Sequence, residues 1–88
     1  MAVGVVEAEI GRLKTDGLLD GVRTWRVDRG FDAMGRVAVW VWLIVGPEGP
    51  DPRRSAEVRE LVRNTVSRSA TEADWVYVSF TDAEGDAR

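Results

Sequence analysis

A ten-residue stretch, RVAVWVWLIV at positions 36–45, constrains the fold of this chain more than any other feature. A strand with one face in water alternates apolar and polar residues. Here both faces are apolar, and one of them carries Trp40 and Trp42. The stretch is therefore predicted to be a central strand with one face in a hydrophobic core, and its second face needs a cover of its own.

Two helices and two further strands are predicted around this central strand. Apolar residues recur at spacings of three and four in residues 3–14 and 52–69, which is the period of an amphipathic helix. Residues 22–31 and 73–82 instead alternate between apolar and polar side chains, as strands do. The DAMG segment at 32–35 joins the first strand to the central one as a hairpin turn. The predicted order is α-β-β-α-β.

These connections predict an α+β fold, a two-layer sandwich in which two helices cover one face of a three-stranded mixed sheet. The hairpin makes the first pair of strands antiparallel, and the helical crossover makes the second pair parallel. Placing the third strand beside the second gives the order 1-2-3, while 2-1-3 remains the alternative. We predict one domain over residues 1–82, followed by a flexible acidic tail at 83–88.

The two sheet faces divide the apolar residues between them. The side predicted to pack under the helices carries Val37, Val39, Val41, Leu43, Val45, Val76, Val78 and Phe80. The opposite side, the outer face, carries Ala38, Trp40, Trp42, Ile44, Trp75 and Tyr77, with Thr24 and Arg26 at one edge. In the first strand, Trp25, Val27 and Arg23 are expected to share one face.

The aromatic residues of the outer face predict an interaction surface. Each Trp or Tyr brings about 150–250 Å² of surface, so four of them offer roughly 600 Å² or more. A monomer usually exposes a few hundred Å² as one patch. We therefore predict an interface, with a second copy or a larger protein, formed by Trp40, Trp42, Ile44, Trp75 and Tyr77. The alternatives are a different strand register in which these rings fill the core, or a platform that binds a ligand or nucleic acid.

The absence of cysteine and histidine from the sequence limits the chemistry. It removes thiolate ligands, disulfides and the commonest general base. Asp28 with Asp32, or Asp16 with Asp20, would be the candidate acid–base pairs, but acidic residues in loops are ordinary turn formers. We predict a non-catalytic protein with no catalytic residues, cofactor or metal site, and keep a small enzyme or ligand-binding domain as an alternative.

Nucleic-acid binding is a second alternative. The second helix carries Arg59 and Arg63, which could contact phosphates, and GPEGPD at 46–51 contains a G-x-x-G like the backbone clamp of K-homology domains. The formal net charge of −3, from 12 basic and 15 acidic residues, argues against general affinity for nucleic acid. We also expect a cytoplasmic protein, since no signal peptide is apparent and no apolar run approaches the roughly twenty residues of a membrane helix.

The segments GLLDGVRTWRVDRG, GRVAVWVWLIV, RRSAEVRELVRNTVSRS and DWVYVSF together resemble the cytoplasmic C-terminal domain of cation-efflux transporters. Gly21, Val22 and Trp25 fall where a GV-x-x-V pattern opens the first strand in that family. The resemblance implies a ferredoxin-like α-β-β-α-β unit that dimerises. That family also binds metal, which is not carried over here because His and Cys are absent. GRVAVWVWLIVGPEG also resembles the long second strand of the KH-like ribosome-binding factor A family.

Overall fold

The computed structural model of the chain describes residues 3–47 and 49–82. They form α1 (Val3–Thr15), β1 (Val22–Phe31), β2 (Val37–Val45), α2 (Pro52–Ser69) and β3 (Trp75–Asp82). This is the predicted order of elements. The acidic tail predicted at 83–88 lies outside the described residues, so the domain boundary at residue 82 stays a prediction.

The three strands form one mixed sheet in the order β1-β2-β3. β1 pairs antiparallel with β2, and Val27 lies opposite Val41. β2 pairs parallel with β3, and Val41 lies opposite Val78. The predicted α+β sandwich is confirmed, and of the two strand orders left open the structure has 1-2-3.

The hydrophobic core lies between the two helices and the helix-facing side of the sheet. Val39, Val41 and Leu43 of β2 are each at most 1% exposed, and Val76 and Val78 of β3 join them. The helices contribute Val6, Ile10, Leu13, Val58, Val62 and Val66. The predicted assignment of the two sheet faces is therefore correct, because alternate residues of β2 bury their side chains under the helices.

The start of β1 contains a β-bulge, which strict alternation along the strand does not predict. Val22 pairs with Val45 and Thr24 pairs with Ile44, which leaves Arg23 as an extra residue between them. The bulge reverses the alternation at this point, so Val22 is buried in the core while Arg23 is exposed. Arg23 is thus not part of the core side that Trp25 and Val27 share, contrary to the expectation from alternation.

The loops at this end of the sheet meet at a close backbone contact. Gly21 has φ of 78°, a left-handed conformation that favours glycine. A Cβ on Gly21 would lie 2.5 Å from backbone atoms of Gly49 and Pro50. The turn before β1 therefore packs directly on the loop that leads into α2.

Candidate protein-interaction surface

The outer face of the sheet is a grid of four rows, each with one residue from each strand. The two central rows join Asp28, Trp40 and Tyr77, and then Arg26, Trp42 and Ser79. The outer rows are Gly30–Ala38–Trp75 and Thr24–Ile44–Thr81. The predicted residues therefore do share one face, and we call Trp40, Trp42, Trp75 and Tyr77 the outer aromatic surface.

Three of the four rings form one continuous aromatic cluster. Trp40 stacks on Tyr77 with ring centroids 5.6 Å apart and planes 11° apart. Trp75 meets Tyr77 edge-on at 6.4 Å. Gly30 makes room for the indole, since a Cβ at that position would lie 3.4 Å from the Trp40 ring. Stacked and edge-on contacts of this kind contribute about 0.5–1.5 kcal/mol beyond burial alone.

The fourth ring, Trp42, is covered on one side by an arginine. The Arg26 guanidinium lies 4.6 Å from the centre of the Trp42 ring, directly across the strand pair. A cation over an indole at this distance is a favourable cation–π contact. The outer aromatic surface is therefore amphipathic, because a charged group lies against its apolar centre.

The hydroxyl of Tyr77 ties the surface to the hairpin turn. It donates to Asp32 Oδ2 at 3.3 Å, so the side chain spans from β3 across β2 to the far end of β1. Ala38, in the neighbouring row of the outer face, has no exposed surface. Asp32 Oδ1 also accepts hydrogen bonds from the backbone N–H groups of Met34 and Arg36, and its Oδ2 accepts one from Nε of Arg36.

The pKa of Asp32 reflects this network. Desolvation opposes ionisation, but the two backbone N–H groups, the charge of Arg36 and the Tyr77 hydroxyl outweigh it. The pKa therefore lies below its ordinary value of 3.8. Asp32 is an ionised structural anchor of the turn.

The exposed aromatic area is smaller than the sequence suggested. Trp75 is 46% exposed, while Trp40, Trp42 and Tyr77 are each more than half buried by their neighbours. At about 150–250 Å² per ring, less than roughly 500 Å² faces solvent, so the earlier figure of 600 Å² is too high. Ile44 is 6% exposed and adds little to the surface of the single chain. The patch is still of the size that is often functional on a monomer.

The arginines proposed to contact nucleic acid lie along β3. Arg59 lies over the Phe80 ring at 5.6 Å, and Arg63 lies over the Trp75 ring at 5.8 Å. Arg63 also pairs with Glu60 at 2.9 Å and donates from Nε to the carbonyl of Val76 at 3.3 Å. Arg63 is therefore engaged within the fold, which disfavours its use as a phosphate contact.

The candidate acid–base pairs are not assembled into a site. Asp28 and Asp32 lie four positions apart, about 13 Å along an extended strand. Asp28 accepts the N–H of Arg29, and Asp32 belongs to the turn network described above. Asp16 and Asp20 are both exposed in the loop after α1. Within residues 3–47 and 49–82, no three His, Cys, Asp or Glu side chains cluster as metal ligands would.

Of the helices in the described part of the chain, none has both the length and the apolar character needed to cross a bilayer.

Comparisons with known proteins find similar structures but no matching sequence family. No family model matches the chain, and no curated protein matches it. A histidine-to-alanine variant of the MamM C-terminal domain (CTD) superposes with a TM-score of 0.55 and 20% identity, covering 86% of this chain and 95% of that one. A second histidine-to-alanine variant of the same domain gives a TM-score of 0.58 and 17% identity, with coverage of 92% and 98%.

A third solved structure, the copper form of an aspartate-to-histidine variant of the MamM CTD, gives a TM-score of 0.57 and 17% identity, covering 92% of this chain and 98% of that one. The MamM CTD is the cytoplasmic domain of a cation diffusion facilitator transporter. At this level of identity the likeness shows the fold. The resemblance to cation-efflux C-terminal domains that the sequence indicated is thus confirmed as a resemblance in fold.

Proposed function

We propose that this chain is a non-catalytic protein-assembly module that pairs with a second copy of itself through the outer aromatic surface. The observation that carries the proposal is the open sheet face: it bears three Trp and one Tyr, and no described helix or strand covers it. Tryptophan and tyrosine are enriched at the centres of protein interfaces. A chain of 88 residues also has a thin stability margin, so a partner that buries more apolar surface stabilises it.

The chemistry of the surface fits an interface better than a core. Its apolar centre, around Trp40 and Trp42, is bordered by charged and hydroxyl side chains: Arg26, Asp28, Ser79 and Thr81. An apolar centre with a polar rim is the common anatomy of a protein interface. The exposed ring of Trp75 extends this centre toward the β3 edge.

The likeness in fold supports self-association as the function. The resemblance to cation-efflux C-terminal domains implies a dimer, and we carry this over together with a cytoplasmic location. No metal site is carried over, because the sequence has no His or Cys. Docking onto a larger protein through the same surface is the second candidate, and it is favoured if the purified chain is monomeric at every concentration.

The proposal is tested by placing a charge at the centre of the surface. Trp42→Glu is expected to halve the particle mass in light scattering and to leave a folded chain. A carboxylate buried against a second copy costs several kcal/mol. In the single chain it replaces a ring that is more than half buried, but it lies beside Arg26 and reaches water, so the cost to the fold is smaller. Trp75→Glu, at the most exposed ring, is a second variant with the same expected effect.

Two controls make the result specific. Val41→Glu is expected to unfold the chain, because Val41 is 1% exposed and faces the helices. Asn64→Glu adds the same charge at an exposed position of α2 and is expected to leave the mass unchanged. If both tryptophan variants fold and keep the full particle mass, the outer aromatic surface is not the contact between copies.

A further inference from the structure

β1 is an edge strand of the described sheet, and its free edge is long. It spans Val22–Phe31 and pairs with β2 only. In an antiparallel pair, alternate residues direct their backbone groups toward the neighbouring strand or away from it. The N–H of Asp32 points toward the β2 side, where it bonds to Arg36, and the N–H of Arg29 bonds instead to the side chain of Asp28. The odd-numbered residues Trp25, Val27, Arg29 and Phe31 therefore direct their N–H and C=O groups outward.

The opposite edge of the sheet, formed by β3, is covered differently. Arg63 reaches over from α2 and donates from Nε to the carbonyl of Val76. Its guanidinium and that of Arg59 also lie over aromatic rings of β3. Covering an edge with long charged side chains is a common way to prevent strand addition. β1 is thus the more accessible of the two edges for another strand.

The sequence of β1 is complementary to itself when two copies run antiparallel. Pairing about Val27 places Arg26 opposite the partner's Asp28, and Asp28 opposite the partner's Arg26. On the helix-facing side, the same pairing places Trp25 opposite the partner's Arg29, which is a cation–π combination. We propose that two copies of this chain join edge to edge through β1, with the two-fold axis at Val27, to form a continuous six-stranded sheet.

The neighbouring registers are disfavoured by charge. The outward N–H and C=O groups of the two β1 strands face each other only if the two-fold axis passes through a residue. The nearest alternative pairings therefore have their axis at Arg26 or at Asp28. The first sets Arg26 against the partner's Arg26, and the second sets Asp28 against the partner's Asp28. Like charges directly opposite each other destabilise a strand pair. Charges on an edge normally block pairing, but these charges favour one self-pairing and oppose the others.

The pairing would replace the hydrogen bond between the Asp28 carboxylate and the N–H of Arg29. In the single chain the Asp28 carboxylate accepts the outward N–H of Arg29 at 3.0 Å. In the proposed pair this N–H donates to the carbonyl of the partner's Trp25, and the freed carboxylate turns to the partner's Arg26. The edge therefore exchanges a local hydrogen bond for one between strands and gains a charge pair.

The helix above this edge leaves space for a second copy. Helices are about 10 Å wide and strands lie about 4.8 Å apart, so two copies of α1 over neighbouring edge strands are crowded unless their facing sides are slim. The strip of α1 beside β1 is slim: a Cβ on Gly11 would lie 3.5 Å from the Trp25 ring, and the same strip continues through small, exposed residues at Gly4, Ala8 and Thr15. Small residues allow helix axes to approach to about 8 Å.

The inference goes beyond the proposed function, because the β1 edge and the outer aromatic surface are different parts of the molecule. Arg29→Pro addresses the edge: it removes one outward N–H on each copy, and on the outer face it removes only the local bond that this N–H donates to Asp28. A chain with both contacts is expected to form an assembly larger than a dimer, to become a dimer with either Arg29→Pro or Trp42→Glu, and to become monomeric when the two are combined. Failure of one contact is therefore distinguishable from failure of the other.

Charge reversal tests the register in a Trp75→Glu background, in which the outer contact is removed and only the edge contact remains. Arg26→Asp and Asp28→Arg each place like charges opposite each other twice per pair, and each is expected to weaken edge pairing by at least about tenfold. Mixing the two variants restores opposite charges at both positions. Native mass spectrometry of the mixture is then expected to show heterodimers in large excess over either homodimer. Arg54→Asp, a reversal at an exposed position of α2, is the control and is expected to change nothing.

Two outcomes would overturn the inference. One is a random distribution of homodimers and heterodimers in the mixture, which indicates that the chains meet at a surface other than β1. The other is an unchanged particle mass for folded Arg29→Pro, with folding checked by far-ultraviolet circular dichroism. If either charge variant fails to fold, the proline variant still decides the question.

Discussion

At the residue scale, Asp32 shows how the structure separates two roles that a sequence leaves open for an acidic residue in a turn. The sequence placed it in a turn and kept it as a candidate acid or base. In the structure it accepts two backbone N–H groups of its own turn and the hydroxyl of Tyr77 from the far strand. No sequence pattern predicts the hydrogen bond between Tyr77 and Asp32, because the two residues are 45 positions apart and meet only once β3 lies beside β2.

This network predicts a pH dependence of stability. The pKa of Asp32 is lower in the folded chain than its ordinary value of 3.8, so its ionised form stabilises the fold above that pH. The contribution is lost as the pH falls below 3.8 and through the folded-state pKa. Asp32→Asn is therefore expected to be less stable than wild type near neutral pH and to approach it in acid. Urea unfolding across this range measures the difference, and a gap that does not narrow in acid contradicts the assignment.

At the element scale, the spacing of apolar residues along the chain predicted most of the fold. The apolar spacings of α2 and β1 gave boundaries that agree with Pro52–Ser69 and Val22–Phe31. β3 begins at Trp75, two residues later than expected, because Ala73 closes a turn onto the carbonyl of Ala70 and Asp74 donates to Val37. The bulge at Arg23 was missed because one inserted residue leaves no periodic trace.

The start of α2 makes a prediction about its cap. Asp51 Oδ1 accepts the N–H of Arg53 at 2.9 Å, and its carbonyl accepts the N–H groups of Arg54 and Ser55. Asp51→Ala removes the side-chain bond and is expected to lower the free energy of unfolding by about 0.5–2 kcal/mol. Asp51→Asn keeps an acceptor at the same position and is expected to retain most of the stability. Equal losses for both variants in urea unfolding would show that charge, rather than the hydrogen bond, stabilises this helix end.

At the scale of the whole molecule, the sequence predicted which residues share the outer face but not how much of it solvent reaches. Alternation along β2 and β3 is sufficient to place Trp40, Trp42, Trp75 and Tyr77 together. Their exposure depends on the direction of each ring, on the space above Gly30 and on the position of Arg26 over Trp42. These are properties of packed side chains across three strands, and a one-dimensional pattern does not contain them.

The two proposed contacts differ in chemistry, and salt should separate them. The edge contact includes two Arg26–Asp28 charge pairs, and the outer aromatic surface is mainly apolar. Raising the salt from about 0.1 M to 1 M shortens the Debye length from about 10 Å to 3 Å, which weakens exposed charge pairs and leaves apolar burial intact.

In light-scattering dilution series, Trp42→Glu, which retains only the edge contact, is expected to dissociate at higher protein concentration in 1 M salt. Arg29→Pro, which retains only the outer contact, is expected to show no such shift. The opposite pattern contradicts the assignment of the charges to the edge, and a single-chain mass for the wild type at every concentration contradicts both contacts.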